Sequence, residues 1–165
     1  MRALVNDPVF DGMSIYFTTE SLFRIDNECL LIFTDAKAKI RKNPYLKNAS
    51  KQSAILIEEH VESHLDGRTM KPGECIVVTI SMTEFSFNKV AVLCLGVWGG
   101  SSHISQPLET CLLNCFEEIN KSNINSLIIT EYNEEFGIPV HIGEKCLIKS
   151  LHEKRANFKV VTFLC

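Results

Sequence analysis

Residues 89–119, KVAVLCLGVWGGSSHISQPLETCLLNCFEEI, join an apolar run, a glycine-containing turn and an amphipathic segment. Lys89–Leu95 is a continuous apolar run, typical of a strand that is covered on both faces. Pro107 suits the first turn of a helix, and the apolar residues after it recur at helical spacing and form one stripe. These residues are Leu108, Cys111, Leu112, Cys115, Phe116 and Ile119. The succession of strand, turn and helix is typical of an α/β domain.

Further strands and helices alternate on both sides of this stretch. Helices are predicted from Ser50 or Ser53 to about Leu65, and from Pro139 to about Glu153. Cys75–Thr79 and Lys89–Leu95 are both predicted to be central strands. The other predicted strands are Met13–Phe17, Leu22–Ile25, Cys29–Thr34, Ser126–Thr130 and Phe158–Leu164. Apolar strands linked by crossover helices predict an α/β fold, a three-layer α/β/α domain with a mixed, mostly parallel central sheet.

The composition indicates one globular domain. The chain has 165 residues, of which 45% are hydrophobic and 22% charged, with a formal net charge of −3, so neither a disordered nor a fibrous protein is indicated. We expect an N-terminal arm over residues 1–12 and one domain over residues 13–165, which at this size needs no cofactor to fold.

The same composition indicates where the protein works. No apolar run approaches the ~20 residues that cross a bilayer, and no secretory signal is visible. The seven cysteines are an odd number, and most lie in apolar stretches, which favours free thiols in a reducing compartment. We therefore expect a cytoplasmic or nuclear protein with no membrane contact.

Two pairs of side chains have the spacing of one helical turn. His60 and His64 could share a helix face as metal ligands, but no third ligand stands out, which favours histidines on a polar rim. Cys111 and Cys115 lie in the apolar stripe, where thiols pack as small hydrophobic groups. No cysteine adjoins the turn glycines or basic residues that activate a nucleophile. The sequence therefore predicts no metal site and no catalytic residue.

A basic stretch with six lysines and arginines covers Lys37–Lys51, and Asn43-Pro44 within it is expected to break any helix. Basic side chains in a loop can contact the phosphates of a polyanion such as RNA. The candidates for this contact are Lys37, Lys39, Arg41 and Lys42. The alternatives are a solvated loop, or ion pairs with the acids of Glu131–Glu135.

Three segments resemble motifs of the macro domain, and the resemblance covers roughly residues 13–165. Lys71–Thr79 is similar to the family's glycine-led turn into a strand that ends in Thr. Leu95–Gly100 follows the next strand, and Glu135–Pro139 resembles the family's phosphate loop, which ends in aromatic-Gly-x-Pro. The resemblance implies a fold that binds ADP-ribose in many proteins and removes it from proteins in some.

Other segments depart from the family pattern. The family's Asn-Ala-Ala-Asn segment and glycine run are replaced by Phe33–Ala38, and no glycine occurs between Gly12 and Gly67. Hydrolysis by the family mechanism is therefore not expected. In the phosphate loop, Glu134 stands where the family has a glycine, and nearby carboxylates repel a phosphate.

The resemblance implies a ligand site whose members are spread over four loops. These are Glu20, Thr34, Asp35, Gly99, Gly100, Ser101, Tyr132, Asn133, Phe136 and Gly137. We expect a non-catalytic recognition module with a degenerate phosphate loop, which binds either an ADP-ribose-type nucleotide weakly or a protein or nucleic-acid surface. The alternatives are an ADP-ribosyl hydrolase or related phosphoesterase with relocated catalytic groups, and a structural role within a longer protein.

Overall fold

The computed structural model describes residues 2–3, 12–81, 84–96, 105–131, 136–153 and 158–164. Within these residues, seven strands form one mixed sheet in the order β1-β2-β7-β6-β3-β5-β4. The strands are β1 (Arg2–Ala3), β2 (Ser14–Thr18), β3 (Cys29–Thr34), β4 (Cys75–Thr79), β5 (Lys89–Cys94), β6 (Ser126–Thr130) and β7 (Val160–Leu164). Strands β2, β7, β6, β3 and β5 are parallel, and β1 and β4 pair antiparallel at the two edges. The carboxyl ends of five strands therefore meet at one edge of the sheet.

Helices cover both faces of the sheet. They are α1 (Pro44–Ala49), α2 (Lys51–Leu65), α3 (Ser105–Asn120) and α4 (Val140–Glu153). Leu31 and Phe33 of β3 pack in one core cluster with α3 and α4, while Leu30 and Ile32 pack in the other with α2. Because β3 is buried on both faces, its continuous apolar sequence is explained. The predicted three-layer α/β/α fold with a mostly parallel sheet is confirmed.

Two local predictions are wrong. Leu22–Ile25 was expected to be a strand, but Leu22–Arg24 is a 3-10 helix, because the Ser21 side chain accepts a hydrogen bond from the Phe23 N–H and Leu22 turns into the core. Asn43-Pro44 does not prevent a helix. It begins α1, since Asn43 Oδ1 accepts hydrogen bonds from the Tyr45 and Leu46 amides and Pro44 occupies the first turn.

The prediction that Cys75–Thr79 is a central strand is also wrong. β4 is an edge strand that pairs antiparallel with β5 only. Its sequence is apolar on both faces because Ile76 and Val78 join the cluster with α2, while Cys75 and Val77 pack partly buried on the side of α3. At the other edge, Arg2–Ala3 pairs with Phe17 and Tyr16 of β2, so the start of the expected arm contributes a strand.

Among the helices of the described ranges, none has the length and apolar character that crossing a membrane requires.

Candidate functional site

The predicted site residues that the structure describes lie at or near the carboxyl edge of the sheet. Thr34, at the end of β3, is buried, and its carbonyl accepts a hydrogen bond from the Leu95 N–H at 2.9 Å. Glu20, beyond the end of β2, is exposed, and its N–H donates to Thr18 Oγ1 at 3.0 Å. Five predicted members of the site lie outside the described residues, namely Gly99, Gly100, Ser101, Tyr132 and Asn133.

The turn after β3 is held together by Asp35. Its Oδ1 accepts a hydrogen bond from the Lys37 N–H at 3.0 Å, and its carbonyl accepts one from the Ala38 N–H at 3.1 Å. Ala38 is fully buried with φ +52°, and its carbonyl accepts from the Ile40 N–H at 2.9 Å. The Asp35 carboxylate, a predicted member of the ligand site, therefore caps its own turn through Oδ1.

The next turn uses its amides in the same way. The Arg41 N–H donates to Glu58 Oε2 at 2.9 Å, and the Lys42 and Asn43 amides donate to the carbonyls of Lys39 and Ile40. A phosphate site needs several N–H groups that point at the ligand. Most N–H groups of residues 37–43 instead donate to acceptors within the protein. These residues, called the first rim below, therefore offer a phosphate few backbone donors.

Two of the basic candidates are anchored on α2. Glu58 is a fully buried carboxylate that accepts from Arg41 Nε at 2.6 Å, and Lys39 Nζ lies 3.2 Å from Glu62 and 3.9 Å from Glu58. Burial raises the pKa of the Glu58 carboxyl, but the hydrogen bonds from Arg41 outweigh this effect and leave the pKa below its usual value. The charges of Lys39 and Arg41 are therefore compensated by α2 and not by Glu131.

Lys37 and Lys42 differ from their two neighbours. Both are exposed, and neither makes an ion pair within the part of the chain that the structure describes. Within the described ranges, they are therefore the two basic candidates whose charge has no ion-pair partner.

A hydrogen bond connects α1 with the carboxyl end of β6. Tyr45, on α1, donates its hydroxyl to Glu131 Oε2 at 3.3 Å, and Glu131 directly follows β6. The contact is exposed, so it is worth little in stability. It nevertheless links α1, which follows the first rim, to the residue that follows β6.

A shallow pocket opens beside this bridge, between the ends of β2, β7 and β6 and the helix α4. Phe17 and Phe163 stack with ring centroids 5.0 Å apart, and Val140, 53% exposed, forms the lip. Thr130, Glu131 and Glu144 are its polar residues, and its lining surface is mostly apolar. The lining residues are Phe17, Thr130, Glu131, Val140, Glu144, Leu147, Phe163 and Leu164. The enclosed space is about 20 Å³, enough for about one water, so a larger ligand would bury only an edge of itself.

Phe136 and Gly137 lie near this edge, before the start of α4. Phe136 is 1% exposed and belongs to the core cluster of α3 and α4, so its ring offers no free face to a ligand in this conformation. Gly137 has φ +65°, a backbone conformation that favours glycine and lets the chain turn toward α4.

The pocket residues on β2, β7 and α4 were missed by the reasoning from sequence. A signal was present, because Phe17 and Phe163 occupy the penultimate positions of two strands and are register partners. Using that signal requires knowing that β2 and β7, which lie near opposite ends of the sequence, are neighbours. Among the described residues, no three or more His, Cys, Asp or Glu side chains form a group suited to a metal ion.

No protein-family model and no curated protein matches the sequence. The fold does match solved structures. A mutant of the Oceanobacillus iheyensis macrodomain has a TM-score of 0.78 and 10% identity, with 99% of this chain and 89% of that chain covered. The macrodomain of Mycobacterium tuberculosis DarG has a TM-score of 0.68 and 14% identity, with 93% of this chain and 99% of that chain covered.

Two further matches are informative. The macro domain of ganglioside induced differentiation associated protein 2 has a TM-score of 0.74 and 11% identity, with 98% of this chain and 80% of that chain covered. Another mutant of the Oceanobacillus iheyensis macrodomain, solved with ADPR, also has a TM-score of 0.74 and 11% identity, with 99% and 89% of the two chains covered. The chain therefore has the macrodomain fold, which confirms the resemblance found in its sequence.

Proposed function

We propose that this chain is a non-catalytic recognition module that binds an ADP-ribose-type nucleotide weakly, chiefly through the base. The observation that carries the proposal is the contrast between the two ends of the carboxyl edge. One end has a mostly apolar pocket, and the other offers a phosphate few free N–H donors.

The pocket beside α4 suits the base. A purine has two apolar faces, and the pocket offers it the apolar side chains of Phe17, Phe163 and Val140, with Glu131 and Glu144 among the residues that line it. Because the recess is shallow, this contact supplies only part of the surface that tight ligands bury.

The rim after β3 disfavours the phosphates. Most of its N–H groups donate hydrogen bonds to acceptors within the protein. The acidic residues Asp35 and Glu131 also lie at this edge of the sheet. A carboxylate ~4 Å from a phosphate oxygen costs about 1 kcal/mol in water and about 4 kcal/mol at an effective dielectric constant of 20. This cost would cancel most of what a few hydrogen bonds of about 1 kcal/mol supply. Hydrolysis is not expected either, because the sequence replaces the family's Asn-Ala-Ala-Asn segment and glycine run with Phe33–Ala38.

A series of ligands separates the contribution of the base from that of the phosphates. Adenosine, AMP, ADP and ADP-ribose are titrated into the isotope-labelled protein, and the dissociation constants are read from amide chemical shifts. We expect the four constants to agree within about threefold and to lie well above 1 μM, the level that corresponds to about −8 kcal/mol. The shifts should be largest around the pocket beside α4.

A pair of variants on the first turn of α4 tests the position of the base. Val140→Asp places a charge on the lip of the pocket, where an acid also suits the start of a helix, and should weaken adenosine binding at least threefold. His141→Asp, on an exposed neighbour outside the pocket, is the matched control and should change nothing. If no ligand binds at millimolar concentration, the recognition proposal is wrong. If ADP-ribose binds far more tightly than adenosine, the interpretation of the phosphate rim is wrong.

A further inference from the structure

Two cysteines far apart in sequence meet between β4 and α3. Cys75 Sγ and Cys115 Sγ lie 3.4 Å apart, and the two residues are separated by 40 positions in the chain. Both are free thiols. Their environments differ, because Cys115 is fully buried in the middle of α3 while Cys75 is only partly buried at the start of the edge strand.

The surroundings of the pair bring the strand close to the helix. Gly73, in the turn before β4, has φ +86°, and a Cβ atom added there would lie 3.3 Å from Cys111 Sγ. A side chain at Gly73 would therefore crowd Cys111 of α3. The backbone just before Cys75 thus lies close against the helix that carries Cys115, which supports the close approach of the two thiols.

The two thiols also differ in reactivity. Burial raises the pKa of the Cys115 thiol well above its usual value, and the hydrogen bond with Cys75 adds to this effect. Cys115 therefore stays protonated and shielded. Cys75 is only partly buried, so an oxidant dissolved in water can reach it. This asymmetry matches that of an attacking thiol beside a resolving thiol.

We propose that Cys75 and Cys115 are an oxidation site, which a hydroperoxide converts into a reversible disulfide. Cys75 attacks the O–O bond of hydrogen peroxide and becomes a sulfenic acid, with release of one water. The Cys115 sulfur then displaces the hydroxyl group of that sulfenic acid and loses its own proton, which forms the S–S bond and releases a second water. The two thiols lose two electrons and two protons in total, and the peroxide is reduced to two waters.

The movement that this reaction requires is small. A disulfide has an S–S distance of about 2.05 Å, so the sulfurs must approach by roughly 1.4 Å. β4 can supply this movement because only β5 pairs with it. The bond would tie the edge strand to the helix that begins at Ser105, across the end of the sheet that carries the candidate site.

Peptide mapping of the native protein tests the proposal without any variant. The reduced protein is treated with hydrogen peroxide, its remaining thiols are alkylated, and it is digested without reductant for mass spectrometry. We expect a crosslinked peptide that joins Cys75 and Cys115, two hydrogens lighter than the sum of its parts, which disappears after dithiothreitol. A different pairing, or oxidation of Cys75 to a sulfinic acid with no crosslink, would overturn the proposal.

Three variants test the order of events. Cys115→Ala should leave Cys75 as a sulfenic acid that dimedone traps, while Cys75→Ala should show no crosslink and no dimedone adduct at Cys115. Cys146→Ala, which removes a buried thiol from α4, is the matched control and should form the crosslink at the rate of the original protein. Thermal unfolding confirms that each variant is folded. Adduct formation at Cys115 in the folded Cys75→Ala variant would refute the assigned order.

Discussion

The buried carboxylate of Glu58 is the contact whose removal gives the clearest test of how the basic stretch is held. Glu58 accepts from the Arg41 backbone N–H at 2.9 Å and from Arg41 Nε at 2.6 Å, and it also contacts the second guanidinium nitrogen. We consider the substitution Glu58→Gln, which keeps the size of the side chain. The amide oxygen can still accept the backbone bond, but the amide NH₂ group then faces a guanidinium that also only donates.

The magnitude follows from these contacts. Hydrogen bonds to charged groups contribute roughly 1.5–3 kcal/mol each, and Glu58→Gln loses two of them. Two effects offset part of this loss. Burying a neutral group costs less than burying a charged one, and water reaches Arg41, whose side chain is 51% exposed. We therefore expect a net loss of about 2 kcal/mol in the free energy of unfolding, which lowers the melting temperature by about 4–8 °C in a chain of this length.

The same contact predicts a dependence on pH. The pKa of Glu58 is lower in the folded protein than its usual value, so the stabilisation is present above about pH 4.3 and is lost as the pH falls through the folded-state pKa. Glu58→Gln has no carboxyl at this position. The difference in stability between the original protein and the variant should therefore shrink in acid.

Urea unfolding at pH 7 and at pH 3.5 measures both effects. Glu59→Gln makes the same chemical change on the exposed neighbour and should leave stability unchanged at pH 7. If Glu58→Gln and Glu59→Gln unfold alike at pH 7, or if the loss is equally large at pH 3.5, the reasoning about the buried pair is refuted.

Three further outcomes are expected. The protein should not release ADP-ribose from a mono-ADP-ribosylated substrate, and turnover above background that disappears in Asp35→Ala would give Asp35 the role of general base. Single-stranded RNA should give no salt-dependent change in fluorescence anisotropy, because Lys39 and Arg41 pair with Glu58 and Glu62 and, among the described residues, only Lys37 and Lys42 of the four candidates lack an ion pair. A micromolar affinity that is lost in a variant with both lysines changed to Ser would contradict this expectation. Ile57→Ala in α2 should cost about 2–5 kcal/mol in urea unfolding, since this side chain is fully buried between α2 and the sheet.

The elements that were predicted well are those whose pattern is local. Cys29–Thr34 and Ser126–Thr130 have the predicted bounds because a strand buried on both faces is apolar throughout. The helix that ends at Leu65 was predicted to have Ser50 or Ser53 as its cap, and in the structure Ser50 accepts from the Ser53 N–H. The start of α1 at Asn43-Pro44 was predicted wrongly as a helix break, although an amide cap followed by proline is a local signal for the beginning of a helix.

The features that were missed depend on the neighbours of a segment in space. Nothing in Cys75–Thr79 distinguishes an edge strand from a central one when helices on both faces keep it apolar. The anchoring of Arg41 by Glu58 joins positions 17 residues apart, and the bridge from Tyr45 to Glu131 joins positions 86 apart. The candidate site was therefore predictable as an edge of the sheet, but not as a set of contacts.

The place of β7 in the sheet has a consequence for how the protein is made. This strand lies between β2 and β6, and Val160 is the register partner of both Ser14 and Ser126. On the ribosome, β2 therefore emerges long before the strand that pairs with it, by on the order of 10 s at about 5–20 residues per second. Until β7 is available, β2 and β6 each expose an unpaired edge, which can form backbone hydrogen bonds with other chains. We expect the nascent chain to need protection by a chaperone until residue 164 has left the exit tunnel, and a chain that stops before β7 to aggregate instead of forming a smaller domain.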